Sequence, residues 1–241
     1  MRWSNACRTL ACIGICALLE DCGSSQPPSE HAFFPLAAGS YWQYRIERTT
    51  MDGVSELRYA IYTVSPDVGT GQGTAIRETM DGRRYYYVLN ADGVYRIGER
   101  PRRGGAVTYH QKKRLVLPHA PALAQRWRST TTTSVLESTG PPWETLFRIN
   151  VPVEVEYRIE SLSETVQTPA GRFTGCLLVS GRGTTNTDVG NTIGRTDIEV
   201  TSKEWFAPHI GLVRLERTER STSDALNYGA LRMELDRWWS Q

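Results

Sequence analysis

VPVEVEYRIESLSETVQTPAGRFTGCLLVSG, residues 151–181, is the stretch whose reading decides the fold. Val151, Val153 and Val155 alternate with Pro152, Glu154 and Glu156, and Tyr157 and Ile159 carry the pattern on. A period of two puts alternate side chains on opposite faces, which is the pattern of a half-buried strand. Pro152 has no N–H to give a ladder, so the strand begins there or lies at an edge. Pro169-Ala170-Gly171 reads as a tight turn. Beyond it Phe173, Leu177 and Val179 share one face while Cys176 and Leu178 take the other. Apolar residues on both faces predict a strand covered on both sides.

The same reading extends outward. Towards the C-terminus, the polar, glycine-rich run GRGTTNTDVGNTIG is expected to be a long hairpin loop or bulged tip. Ile198, Val200 and Phe206 then mark a strand face, 207–211 a turn, and Val213 and Leu215 another strand. Leu231, Met233 and Leu235 alternate with Arg232, Glu234 and Asp236, and Trp238-Trp239 is expected to cap the core or dock on the N-terminal tether. Towards the N-terminus, Trp42, Tyr44 and Ile46 oppose Gln43, Arg45 and Glu47, and Asp52-Gly53 turns into Leu57, Tyr59 and Ile61. Asp81-Gly82 and Asn90–Gly93 punctuate a meander carrying Tyr85, Tyr87, Tyr95 and Ile97. Pro66–Gly73 is a glycine-rich connection; no Gly-Lys-Ser/Thr follows, so it is not a phosphate loop. Residues 115–117 read as a short edge strand, and 115–128 is the best place in the chain for a short helix. The Ser/Thr-rich stretch 127–138 suits a partly solvated strand.

About ten strands in one antiparallel sheet must curl or split into two layers. The fold class expected is therefore all-β, a curled antiparallel sheet or partly open barrel, with a two-layer β-sandwich as runner-up. Glycine at 21 residues and aromatics at 10% of the 241 suit strands joined by tight turns. One domain is expected over 32–241.

The N-terminus reads differently. Arg2 and Arg8 precede the apolar run LACIGICALL, Cys22 follows, and CGSSQPPSE then forms a Gly/Ser/Pro-rich tether over 22–31. The run is too short to cross a bilayer, which takes about 20 residues. Positive start, short apolar middle and following Cys resemble the signal peptide of a bacterial lipoprotein, which implies a signal over 1–21 and lipid attachment at Cys22. Glu20 and Asp21 stand where small neutral residues are usual, so ordinary cleavage nearby or an uncleaved anchor stay open. Gly23, where an Asp favours the inner membrane, points to the periplasmic side of the outer membrane. Four of the five cysteines lie in the first 22 residues, so Cys176 would be the body's single thiol, expected to be buried and inert.

Three further segments resemble a broad group of bacterial exported β-rich lipoproteins of mostly uncharacterised function. They are Phe34-Pro35-Leu36 with Gly39 and Trp42; Thr168-Pro169-Ala170-Gly171 with Phe173 and Cys176; and Phe206-Ala207-Pro208 with Gly211, Leu212 and Val213. Each joins a turn to a strand entry, so the resemblance implies an envelope lipoprotein and supplies no chemistry. A looser likeness is to the curved-sheet envelope lipoproteins that carry acyl chains.

No catalytic constellation is legible. His31, His110, His119 and His209 stand at no metal-ligand spacing, Cys176 sits mid-strand, and Glu154 and Glu156 fit the wet face of a strand. No metal or other cofactor is expected. Charge is more informative. Residues 83–128 hold Arg83, Arg84, Arg96, Arg100, Arg102, Arg103, Lys112, Lys113, Arg114, Arg126 and Arg128 against Asp92 and Glu99, while the whole chain carries only +2. This predicts a basic patch drawn to anionic lipid, lipopolysaccharide or an acidic envelope protein, with nucleic acid set aside for an exported chain. The function expected is non-catalytic binding or scaffolding; a carrier with an apolar cavity and an envelope hydrolase are the alternatives.

Overall fold

A computed structural model describes residues 30–66, 71, 73–101, 104–140, 145–189 and 194–240. The expected signal, Cys22, the tether up to residue 29, most of the 66–73 connection, and Arg102 and Arg103 lie outside the described residues.

Twelve strands form one antiparallel sheet. In chain order they begin with β1 (Tyr41–Thr50), β2 (Gly53–Val64), β3 (Thr74–Thr79), β4 (Arg84–Asn90), β5 (Gly93–Arg100), β6 (Thr108–Pro118) and β7 (Arg126–Thr132). A separate hairpin, β8 (Glu137–Gly140) with β9 (Thr145–Arg148), interrupts them. The sheet resumes with β10 (Pro152–Thr168), β11 (Gly171–Asp188), β12 (Arg195–Ala207), β13 (Gly211–Ser221) and β14 (Tyr228–Trp239). β1 pairs with both β2 and β14, so the two halves join through the first and last strands. The two free edges are β6 and β7, which are consecutive in sequence and face each other without pairing. The fold is thus an all-β, nearly closed antiparallel barrel with one open seam.

The alternation read from sequence sets the inside. Val153, Val155 and Ile159 are buried, with Leu177, Val179, Ile198, Val200 and Leu235 from the neighbouring strands. β10 begins at Pro152, as its missing N–H requires. The double-sided burial near Cys176 has a local cause. Register slips at three places between Ile159 and Val166, and Gly175 has φ +66°. These bulges bend the β10–β11 hairpin over one end of the barrel. There Val166 and Cys176 pack with Trp42, Ala207, Val213 and Leu235, and the Ala170 N–H donates to the Leu235 carbonyl at 3.0 Å.

Two inserts fill the interior. From the N-terminal side, Phe34 packs on Tyr87, and His31 is buried with Nε2 2.9 Å from the Pro118 carbonyl. His31 therefore belongs to the packed domain rather than to the tether. At the other end Thr133, Val135, Leu136 and Ile149 are buried as a plug around the β8–β9 hairpin. Glu219, fully buried, anchors it. Its carboxylate accepts from the N–H groups of Ser134 and Val135, each at 3.0 Å, and from Arg217 Nε at 2.7 Å. The plug presses so closely on β14 that any Cβ at Gly229 would collide with the Val135 carbonyl.

Three readings of local structure are corrected. The short helix expected in 115–128 is absent: β6 runs to Pro118, Gln125 closes a turn on Ala122, and β7 follows. Pro118 and Pro121 interrupt any helix running through the segment, since an interior proline lacks the N–H and clashes with the preceding turn. The polar run 181–194 is mostly ladder, paired from Gly181 to Asp188 with β12, because its Thr residues have ample strand propensity. Trp238 and Trp239 do not cap the core. They are 37% and 52% exposed, and Trp239 stacks on Tyr41 at 3.8 Å between centroids.

Candidate functional site

The seam is where basic residues gather. β6 brings Lys112, Lys113 and Arg114 to one lip, and β7 brings Arg126 and Arg128 to the other. A groove of about 430 Å³ between them is lined by His110, Lys112, Lys113, Arg114, Arg128 and Glu154, among others. On the β7 lip the carboxylates of β10 answer the arginines: Arg126 lies 2.8 Å from Glu156, and Arg128 lies 3.6 Å from both Glu154 and Glu156. Glu154 and Glu156 are therefore the wet face of a strand, as their spacing suggests. Arg83, Arg84 and Arg100 sit at the opposite end of the β4–β5 ladder from Gly93, and Arg84 pairs with Glu78 at 2.5 Å. Of the bases read from the sequence, Lys112, Lys113, Arg114, Arg126 and Arg128 lie on the two edge strands, Arg83, Arg84 and Arg100 at or beside one end of the β4–β5 ladder, and Arg96 lines the inner space.

Behind the seam is a second cavity, about 260 Å³, inside the barrel. Arg114, Ser129 and Thr130 line both spaces, so the two adjoin at the seam. The inner walls carry Arg77, Arg96 and Arg114 against a single carboxylate, Glu204, with Phe34, Tyr87 and Phe206 as apolar surface. Arg77 is held by rings: its guanidinium carbon lies 3.7 Å from the Phe34 centroid, 4.6 Å from Trp42 and 5.7 Å from Tyr87. Nη2 donates to the Pro35 carbonyl at 2.8 Å. No carboxylate among the described residues is within ion-pair distance, and Nε is buried without a hydrogen-bond partner. Burial accordingly pushes the Arg77 pKa down. Arg96 donates to Glu99 at 3.2 Å and lies 4.9 Å from the Tyr85 ring, with its own Nε unpartnered.

Crowding of like charge is visible in the ionisation of groups where the two spaces adjoin. Burial, and then the positive charge of Arg96, lowers the Arg114 pKa, while Glu99 opposes them. His110 is pushed down by burial, then by Arg114 and Arg96, and its Nε2 has no partner. Glu204, opposite, is raised to about 7 by burial, with Arg217 and Ser202 pulling the other way.

Other features offer less. A hollow of about 560 Å³ crosses β10–β13. Its cross-strand row Arg158, Ser180, Lys203, Glu216 alternates donors and acceptors on a wet sheet, and Arg158 is already paired with Glu160 at 3.1 Å. Cys176 is fully buried, and burial followed by Glu164 raises its thiol pKa. Among the described residues no three His, Cys, Asp or Glu side chains are grouped as metal ligands. The interior space is mixed in character, lined by arginines and a glutamate together with Phe34, Tyr87, Phe206 and Leu212.

Sequence reasoning missed Arg77, Glu204 and Glu219. For two of them a signal existed. Glu204 falls on the face of Ile198, Val200 and Phe206, and Glu219 on that of Val213 and Leu215. A carboxylate in an apolar row is costly unless it is partnered, so each marks an interior polar site. Arg77 carried no such signal, since β3 buries Ile76 and Arg77 side by side.

Comparison with known proteins gives partial likenesses. A family model described as DUF3108-like matches residues 148–223. Among solved structures the chain is similar to a Bacteroides fragilis protein with a YmcC-like fold, named as exported. It shares 15% identity over 87% of this chain and 100% of that one, at a TM-score of 0.39. It is also similar to a Parabacteroides distasonis protein named as a lipoprotein, at 15% identity over 88% and 100%, with a TM-score of 0.37. No curated protein matches.

Proposed function

We propose that the protein is a non-catalytic lipoprotein of the bacterial envelope, held by a lipid on Cys22 at the periplasmic side of the outer membrane. In this reading its basic seam docks on anionic headgroups, of phospholipid or lipopolysaccharide. The observation that carries the reading is the pair of facing lips: Lys112, Lys113 and Arg114 on β6 opposite Arg126 and Arg128 on β7, along the unpaired seam of the barrel. The lipoprotein-like start of the sequence supports the placement. A tethered domain already near a membrane needs little further attraction, and each base close to an anionic surface contributes roughly 1 kcal/mol. Lys112 and Lys113 are exposed and have no ion-pair partner among the described residues, so they are the ones free to meet phosphate. An acidic face on an envelope protein is the competing partner.

Full-length protein incubated with phosphatidylglycerol vesicles and with phosphatidylcholine vesicles tests this. Sedimentation with the anionic vesicles alone is expected, falling away towards about 0.5 M salt as screening shortens the reach of charge. Replacing Lys112 and Lys113 by Gln should weaken it. Equal sedimentation with both vesicle types, or binding indifferent to salt, would remove the seam from the account. Intact mass of the protein extracted from its native membrane reads the anchor separately: an acylated Cys22 at the new N-terminus is expected.

A further inference from the structure

The inner cavity, as distinct from the outer lips, has the chemistry of a ligand site. From it we infer that the barrel takes up a small amphipathic organic anion, a carboxylate or phosphate monoester with a short apolar body. The inference stands apart from the docking of the seam on membranes, and either can fail alone.

Three observations converge. First, Arg77 is kept charged in the core with no carboxylate partner and with Nε unused, yet it lines an open space of about 260 Å³. A buried guanidinium normally has its donors satisfied, because an unmet charged donor is expensive. Here ring faces support one side of the group, Nη2 donates to the Pro35 carbonyl, and the buried Nε has no hydrogen-bond acceptor. Second, Arg96 and Arg114 line the same space, whose lining holds one carboxylate, Glu204, while Glu99 opposes the charge of Arg96 and Arg114 from beside it. Glu204 does not pair with Arg77, and its charge is suppressed by burial. The cavity therefore holds more cation than it neutralises, and an incoming anion supplies the balance. Third, the walls are not uniformly polar. Phe34, Tyr87, Phe206 and Leu212 give a ligand's apolar part a surface to cover.

The planar guanidinium fork suits carboxylate and phosphate oxygens, and an anion bound there makes charge-assisted hydrogen bonds of the stronger kind. The route in is the unpaired seam, past Arg114, where His110 presents a second unpartnered nitrogen. Loss of positive crowding at Arg114 and His110 would accompany binding.

Titration calorimetry of the full-length protein with hexanoate, hexyl phosphate and hexanol tests the inference. Saturable binding of one or both anions at millimolar concentration or tighter is expected, with hexanol neither binding nor competing. Whichever anion binds identifies the preferred headgroup. Arg77→Met removes the guanidinium while keeping a flexible unbranched side chain in the core, and should weaken anion binding at least tenfold. Arg114→Gln lies at the seam rather than in the core, so it tests the same site if Arg77→Met does not fold, and a similar loss is expected. Hexanol binding as well as the anions, anion binding unchanged in both variants, or no uptake of either anion would overturn the proposal.

Discussion

The guanidinium of Arg77 lies 3.7 Å above the ring of Phe34. One residue comes from a short inner strand and the other from the segment that enters before the first strand. Their contact stoppers one end of the barrel and at the same time holds a charge inside it. Cation–π contact, worth about 0.5–2 kcal/mol, offsets part of the cost of burying the guanidinium, and the Pro35 carbonyl offsets some of the rest.

That balance gives opposite expectations for the two partners. Phe34→Ala removes a buried ring and leaves a cavity beside Tyr87, so a loss of about 3–5 kcal/mol is expected. Arg77→Met exchanges an unpaired buried charge for a flexible unbranched apolar chain, so stability should be unchanged or higher. Urea titrations of both variants check this. A marked destabilisation by Arg77→Met would mean that the guanidinium is a structural element rather than a charge retained at a cost.

The plug at the other end depends on Glu219. Its carboxylate serves Ser134, Val135 and Arg217 at once. Glu219→Ala strands those donors and leaves Arg217 without its buried partner, which is expected to cost about 3–5 kcal/mol. Gly229→Ala reaches the same plug through sterics alone, since the added methyl meets the Val135 backbone. Both variants should speed hydrogen exchange at residues 133–136 and open the 133–151 segment to protease, while exchange in β11 and β12 changes less. Uniformly faster exchange across the barrel would show that the plug and the sheet unfold as one unit.

Much of this architecture was legible in residues 151–181 and their neighbours, because alternation and turn chemistry are local signals. Val153, Val155, Ile198 and Val200 all face inward as their spacing requires. What escaped is non-local. A bend at Gly175, the plug on Gly229, and a strand ending at Pro118 where a helix was expected over 115–128 depend on which strand lies opposite. The site was half visible. A cluster of bases in 83–128 announced positive charge, and Lys112, Lys113, Arg114, Arg126 and Arg128 do share the seam. Which bases fall on the two edge strands depends on where the barrel stays open, and composition carries no trace of that.

Cys176 provides a simple probe of the bent hairpin. Buried among Trp42, Val213 and Leu235, with its thiol pKa raised, it should stay unlabelled when native protein is treated with iodoacetamide near neutral pH. Labelling should appear with denaturation. Peptide mapping separates it from the N-terminal cysteines. Labelling of native protein at Cys176 would place the β10–β11 hairpin off the barrel end for part of the time.

Glu204 should make stability depend on pH in a defined window. Burial raises its pKa from 4.5 to about 7 in the folded chain, with Arg217 and Ser202 opposing the shift and Tyr157 facing the same interior. Between those values the folded state binds more protons at this site than the unfolded state does. The slope of unfolding free energy against pH is then negative. The contribution is fully present below about pH 4.5, is lost as pH rises through about 7, and is constant above that. A shift of this size corresponds to at most about 3 kcal/mol, and the partial exposure of Glu204 reduces it. Glu204→Gln carries no titrating proton, so its stability should lack this decline between pH 5 and 8. It should also exceed the parent's at pH 8 and match it more closely at pH 5. Chemical denaturation of both proteins across that range measures the difference. Parallel curves would mean that Glu204 is ionised throughout, and then the cavity would hold its own counter-charge for the arginines that line it.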